Sequence, residues 1–202
     1  MAPTKHAGRP IPRCRLDLAR AWGLERALTP GQLAAVMRLS PSSGDSTILR
    51  WEGRGGITDA ARTALAMMLA GAGGAHLIAW NGPPMTGADL ERARVRLGLL
   101  WRLDGALSIP DLSYALGFPP DAGPGLIHEC EIGAREVGGP MSLAVDLMLE
   151  GALPPVMSPA AAEAERYLRG ARFARRLAEF PGAERPALPL TGRGGKTPAT
   201  VT

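Results

Sequence analysis

Apolar residues recur along residues 13–155 at the three- and four-residue spacing of an α-helix, and strict alternation is rare. One stripe is formed by Leu33, Val36 and Met37. It follows Thr29, a hydroxyl residue suited to the N-cap, and a proline that fits the first helical turn. Residues typical of strands are sparse. The pattern therefore predicts an all-α chain.

Two further helices follow the same stripe. A polar loop at residues 40–44 precedes a short helix predicted over residues 45–52, which is ended by glycines. Ile48 and Trp51 are expected to point inward from it. Thr58 then begins a last helix with an apolar face. A first helix is predicted near residues 16–22, and each unit is expected to be a compact bundle of about five helices.

An internal repeat organises the chain. A shift of 79 residues superposes Arg15 on Arg94 and Trp22 on Trp101, and further identical residues align in order at the same shift. After one inserted residue the shift becomes 80, which superposes Met68 on Met148. The ordered matches indicate a duplicated domain.

The repeat and the positions of proline and glycine divide the chain into five parts. They are a basic flexible arm (1–12), a first domain (13–75), a linker (76–87), a second domain (88–155), and a basic C-terminal helix with a disordered tail (156–202). The helix in the last part is predicted over about residues 160–180. The arm is expected either to enter a minor groove or to be inert.

Composition and charge refine this organisation. Hydrophobic residues make up 46% of the chain and aromatic residues only 4%, which favours cores of aliphatic side chains. Residues 1–90 carry 10 basic and 6 acidic side chains, residues 91–155 carry 5 and 9, and residues 156–202 carry 8 and 4. A basic front and an acidic middle suggest that the two domains have different partners.

Several function classes find little support. Cys14 and Cys130 form no CxxC motif, and the three histidines have no metal-ligand spacing, so no metal or cofactor is expected. No nucleophile with a base and no phosphate-binding loop is evident, so no catalytic residue is expected and the protein is predicted not to be an enzyme. The N-terminus lacks the apolar stretch of a signal peptide, which predicts a cytoplasmic protein without a membrane partner.

Two segments carry a resemblance to a known family. They are Leu28-Thr29-x-x-Gln32-Leu33-Ala34 and Thr47-Ile48-x-Arg50-Trp51-Glu52-Gly53. They resemble the Cro/lambda-repressor-like (Xre-type) helix-turn-helix family, and the second copy keeps the frame in Leu107-Ser108, Asp111-Leu112 and Ile127-x-x-x-Glu131-x-Gly133. The turn between helices two and three is about four residues longer than is usual in that family, and Pro30 replaces a frequent glutamine.

The resemblance implies which side chains meet DNA. In this family the second helix of the motif lies in the major groove, and its N-terminal residues reach base edges. Here those residues are Asp45, Ser46, Thr47 and Arg50, while Arg54 and Arg38 are expected near phosphates. For two of these positions the alternative is structural, because Ser46 or Asp45 would then cap helix three. The alternative for Arg50 is an ordinary solvated side chain.

The resemblance also implies an ion pair in each domain. Glu52 and Glu131 occupy matching positions at the end of helix three. Each is expected to pair with an arginine of helix one, Arg15 or Arg13 in the first domain and Arg94 or Arg92 in the second. The role of these pairs would be architectural.

The second domain is predicted to be a degenerate reader. Glu129 stands where the first domain has Arg50, and a carboxylate repels phosphate. The leading hypothesis is therefore a sequence-specific DNA-binding transcriptional regulator, a phage or bacterial repressor associated with the nucleoid, whose partner is double-stranded DNA. It would act as a homodimer or as an internal pseudo-dimer. The alternative is a protein-interaction adaptor that keeps the helix-turn-helix fold, with a protein partner on the second domain.

Overall fold

The computed structural model describes residue 11 and residues 13–155, and every regular element in this part is helical. The predicted all-α class is confirmed for these residues. Apart from residue 11, the arm (1–12) lies outside them, as do the C-terminal helix and tail (156–202). The α-helices are α1 (Cys14–Ala21), α2 (Pro30–Val36), α3 (Gly44–Gly53), α4 (Asp59–Leu69), α5 (Gly87–Leu100), α6 (Ile109–Ala115), α7 (Gly123–Glu131) and α8 (Gly139–Leu149).

The helices form two units of the same plan, α1–α4 (the first unit) and α5–α8 (the second unit). Backbone hydrogen bonds recur between them at the 79-residue shift. The amide of Leu24 donates to the carbonyl of Ala19 over 2.8 Å, and the amide of Leu103 donates to that of Gly98 over the same distance. The repeat seen in the sequence is thus a repeat of backbone geometry.

The helix starts predicted from hydroxyl residues are present. The Thr29 hydroxyl accepts from the amide of Gln32 over 3.1 Å, and the Gln32 side chain accepts from the amide of Thr29 over 2.8 Å. The hydroxyls of Thr58 and Ser108 likewise accept from the amides of Ala61 and Asp111 at the starts of α4 and α6. Each cap satisfies an amide that the helix itself leaves without a partner.

The predicted linker contains a short 3₁₀ helix, Ala75–Ala79. Its Leu77 is buried, and it lies so close to Gly73 that a Cβ there would be 2.6 Å from the Leu77 side chain. The same position faces Leu147 of α8. Burial of this one leucine orders the start of the connection, while residues 80–86 have no regular structure.

Helices α2 and α3 cross at a very small separation. A Cβ added to Gly44, the first residue of α3, would lie 2.6 Å from Cβ of Ala34 on α2. In the second unit Gly123 is in equally close contact with Ser113 of α6. The glycine at the start of the third helix therefore sets how closely that helix approaches the second.

An arginine of α1 binds the C-terminal end of α3. Nε of Arg15 donates to both carboxylate oxygens of Glu52, at 3.1 and 3.0 Å, and Nη1 donates to the carbonyl of Leu28 at 2.9 Å. The Cys14 thiol donates to the same carboxylate over 3.5 Å. Burial, and then the Glu52 charge, raise the pKa of Cys14 to about 12.

The second unit repeats this arrangement. Nε and Nη2 of Arg94 donate to the two oxygens of Glu131, at 2.5 and 3.0 Å, and Nη1 donates to the carbonyl of Leu107 at 2.6 Å. In each unit the arginine therefore joins three elements: the first helix, the chain entering the second helix, and the end of the third.

Helices α4 and α8 pack against each other and join the two units around one core. Both are buried around most of their circumference. The buried residues of α4 are Ala60, Ala61, Thr63, Ala64, Leu65, Met67 and Met68. Those of α8 are Met141, Ser142, Leu143, Ala144, Val145, Leu147 and Met148.

Replacing Gly44 with alanine is expected to lower the free energy of unfolding by about 1–3 kcal/mol, since the new Cβ overlaps Ala34 and forces α2 and α3 apart. The matched control is Gly53→Ala in the same helix, where a Cβ meets no atom within 4 Å. That change should be neutral or stabilise by up to about 1 kcal/mol. Urea unfolding followed by circular dichroism measures both, and equal stability of the two variants would contradict the close crossing.

Replacing Glu52 with alanine leaves the partly buried Arg15 guanidinium without its carboxylate. The expected loss is about 2–3 kcal/mol, at or just below the range for fully buried pairs because both side chains retain some exposure. Asp17→Ala serves as the control, since it breaks an exposed pair with Arg20. That loss should stay below about 1 kcal/mol. Thermal unfolding compares the two, and similar losses would show that the Glu52 pair is no more than a surface contact.

Candidate nucleic-acid interface

Helix α3 has one buried face and one exposed face. Ile48 and Trp51 are buried, as predicted, and hold the helix on its own unit. The residues on the opposite face are exposed, namely Asp45, Ser46, Leu49, Arg50 and Gly53, and the exposed Arg54 follows directly. We call these six residues the α3 face. It contains four of the six side chains that the sequence assigned to DNA, and a fifth, Thr47, is half-buried beside it.

The start of α3 differs from the two alternatives considered above. The helix begins at Gly44, and Ser43 occupies the N-cap without a side-chain hydrogen bond. Neither Asp45 nor Ser46 is therefore the cap. The Ser46 hydroxyl instead donates to the carbonyl of Ser43 over 2.9 Å, which leaves its oxygen free to accept from another group.

Asp45 lies beside the first turn of α2. A Cβ placed on Gly31 would be 3.3 Å from Oδ1 of Asp45, so the carboxylate rests against the α2 backbone near its N-terminus. It also lies in the first turn of its own helix. A negative charge is favourable near both helix N-termini. This position gives Asp45 a structural role within the first unit.

Leu49 is the residue of the α3 face that sequence reasoning missed. Its side chain is 53% exposed, between Ser46 and Arg50 on the outer surface of the helix. An apolar residue is readily assigned to the core, but the helical spacing from Ile48 and Trp51 places position 49 outside. An exposed leucine beside an arginine and a serine gives the face apolar, cationic and hydroxyl groups within two turns.

The corresponding face of α7 has different chemistry. Glu129 stands at the position of Arg50 and accepts from Nε of Arg135 over 2.9 Å. His128 stands at the position of Leu49, and Gly125 at that of Ser46. Arg135 is thereby neutralised locally. At these three positions α7 therefore presents neither a guanidinium nor an aliphatic side chain, although the exposed Ile132 stands at the position of Gly53.

Arg38 does not lie on the α3 face, contrary to the expectation that it contacts phosphate. Its side chain is only 7% exposed, and Nη1 donates to Oγ of Ser142 and to Oδ2 of Asp146, each over 2.5 Å. The guanidinium also lies over the ring of Trp80, 4.2 Å from its centroid. Arg38 therefore joins the first unit to α8. Nη1 is engaged by these contacts and Nε is buried without a hydrogen-bond partner, so it is burial that removes the group from contact with a phosphate.

No group of three His, Cys, Asp or Glu side chains within the described residues is placed to hold a metal ion. None of the helices in residues 13–155 has the length and apolar character needed to cross a bilayer.

Replacing Asp146 with alanine leaves the Arg38 guanidinium buried without a counter-charge. Since the Asp146 side chain is 35% exposed, the expected loss of stability is about 2 kcal/mol, below the 3–5 kcal/mol typical of fully buried pairs. Glu150→Ala, which removes an exposed carboxylate just after the same helix, is the control and should change stability by less than about 0.5 kcal/mol. Urea unfolding of both variants measures the two losses of stability. A loss no greater than that of the control would mean that Arg38 and Asp146 do not hold the units together.

Comparison of the chain with protein-family models, with curated proteins and with solved structures found no match. The resemblance to Xre-type helix-turn-helix proteins therefore depends on the residues quoted above. The functional interpretation depends on the chemistry of the α3 face.

Proposed function

We propose that this protein is a sequence-specific DNA-binding transcriptional regulator, a phage or bacterial repressor, and that α3 is its reading helix. The two units would be tandem helix-turn-helix domains, of which only the first reads bases. The observation that carries the proposal is the α3 face, where an arginine, a leucine and a serine are exposed on a helix whose opposite side is fixed in the core.

These side chains suit the edges of base pairs. An α-helix fits the major groove of B-form DNA, where arginine can donate two hydrogen bonds to guanine and an apolar group can contact the methyl of thymine. Arg50 and Leu49 supply these two groups from adjacent positions, and Ser46 adds a hydroxyl. Arg54 is exposed just beyond the helix and would attract phosphate without regard to sequence.

The contacts that hold α3 against the rest of the first unit suit this helix to base recognition. Discrimination between bases requires that side chains be held in a fixed register with the groove. Gly44 against Ala34 fixes the start of α3, and the Arg15–Glu52 pair fixes its end. A regulator that occupies DNA in this way would act at the nucleoid, and repression needs no more than occupancy of a promoter.

A second function, a protein-binding adaptor, is favoured by exposed apolar residues on the second unit. Leu99 of α5 is 71% exposed, Val95 is 47% exposed, and Ile132 at the end of α7 is 63% exposed. Exposed apolar side chains of this size are common at protein interfaces when they form a patch. In this function the second unit binds a protein, and the α3 face has no base preference.

Selection of bound sequences from a random duplex library at about 0.15 M salt tests the proposal, because nonspecific attraction is weak there. We expect one enriched motif. Arg50→Ala should weaken binding to that motif by roughly 5- to 150-fold, the equivalent of about 1–3 kcal/mol, and should relax the preference at one base pair. Leu49→Ala should relax a preference for thymine.

The charge-matched control is Arg96→Ala, which removes an exposed arginine from α5 of the second unit. Glu129→Ala tests the position equivalent to Arg50. Both variants should keep the wild-type motif. If no motif is enriched, or if Arg50→Ala weakens binding to all sequences equally, α3 does not read bases and the adaptor function is favoured.

A further inference from the structure

The contact between the two units follows a two-fold pattern. Helices α4 and α8, which are equivalent in the repeat, pack against each other. Gly139 lies beside Arg38 on one side of the interface, and Gly117 lies beside Asp59 on the other, since a Cβ added to either glycine would come within 4 Å of that neighbour. The repeat relates position 38 to position 117 and position 59 to position 139. Applying the repeat to one contact therefore gives the other. This reciprocity is the pattern of an isologous interface.

The backbone keeps this equivalence on both sides of the interface. Arg38 and Gly117 each follow the second helix of their unit, and both have left-handed backbone conformations, with φ of 53° and 80°. Glycine adopts this conformation without strain, whereas an arginine does so at a cost. The first unit therefore keeps an arginine where the backbone favours glycine.

The side chains across the interface are not equivalent, and they discriminate against pairing of the first unit with a second copy of itself. Arg38 bonds to Ser142 and Asp146 of α8. The residues of α4 at the corresponding positions are Arg62 and Ala66. In a pair of first units, Arg38 would lose its carboxylate and face a like charge.

A steric feature also disfavours the pairing of two first units. A Cβ on Gly139 would overlap the carbonyl oxygen of Arg38, so the observed approach requires glycine there. The corresponding residue of the first unit is Asp59, which carries a Cβ. A pair of first units at this separation would therefore clash at that point.

Pairing of two second units would lose contacts as well. The Thr63 hydroxyl of α4 donates to the carbonyl of Leu116 over 2.9 Å in a buried position. The residue of α8 that corresponds to Thr63 is Leu143, which has no hydroxyl, and Gly117 cannot replace the arginine that Asp146 binds. Of the three possible pairings, only that of unlike units makes all of these contacts.

We propose that the chain binds DNA as a single molecule, at a non-palindromic site that holds one copy of the base pairs read by α3. The inference rests on the function proposed above. A reading unit that pairs with a copy of itself recognises an inverted repeat. Here the second unit covers that surface of the first, and its α7 carries Glu129 and His128 in place of the arginine and leucine.

The test uses the full chain and the motif recovered by selection. The mass of the complex with a duplex that carries one copy of the motif is measured by light scattering, and the motif is inspected for inverted symmetry. We expect one chain per duplex and no inverted repeat. An inverted repeat bound by two chains would overturn the inference while leaving the proposed function intact. Failure to enrich any motif would contradict the proposed function, and the inference that rests on it would fail as well.

A second measurement uses duplexes with two motifs at a spacing of one helical turn, in inverted or direct orientation. Chains that do not pair through the α4 surface should bind both duplexes independently, with a coupling factor of about 1 in either orientation. Binding that is at least about tenfold tighter at the second motif of the inverted duplex, but not of the direct one, would show that chains pair and would contradict the inference.

Discussion

The packing of α4 against α8 is the contact on which the rest of this structure depends. Each helix is buried on the side that faces its own unit and also on the side that faces the other. A unit of roughly 60 residues buries a smaller fraction of its surface on folding than a larger domain does, and is only marginally stable by itself. Sharing one core between two such units removes the apolar faces of α4 and α8 from water. The outer helices, including α3, are then held against a larger and more rigid body.

Most of what the sequence predicted correctly is encoded locally or in the repeat. Thr29, Thr58 and Ser108 mark helix starts because a cap involves residues only three positions apart. The inward positions of Ile48 and Trp51 follow from helical spacing alone. The structure also brings Arg15 to Glu52 and Arg94 to Glu131, and the common shift had already placed both pairs at matching positions.

The features that the sequence did not reveal depend on contacts between distant segments. Arg38 is an arginine in a basic half of the chain, and nothing near it signals that its partners lie 104 and 108 residues away on α8. The 3₁₀ helix in the linker depends in the same way on a distant segment, because it packs against α2. Leu49 was missed for another reason, since its apolar character suggests the core while its position on α3 excludes it. The reading of DNA by the α3 face stays a prediction from chemistry.

The difference between Arg38 and Gly117 has a consequence for how such a protein can change. In a dimer of identical chains, each substitution occurs twice, so a residue that improves one half of the interface must also be tolerated in the other. Two copies joined in one chain are released from that constraint. One copy can keep a strained arginine and the other a glycine. Each of the two surfaces can then change to complement the other without having to complement itself. The same freedom lets α7 lose its cationic character while α3 retains it.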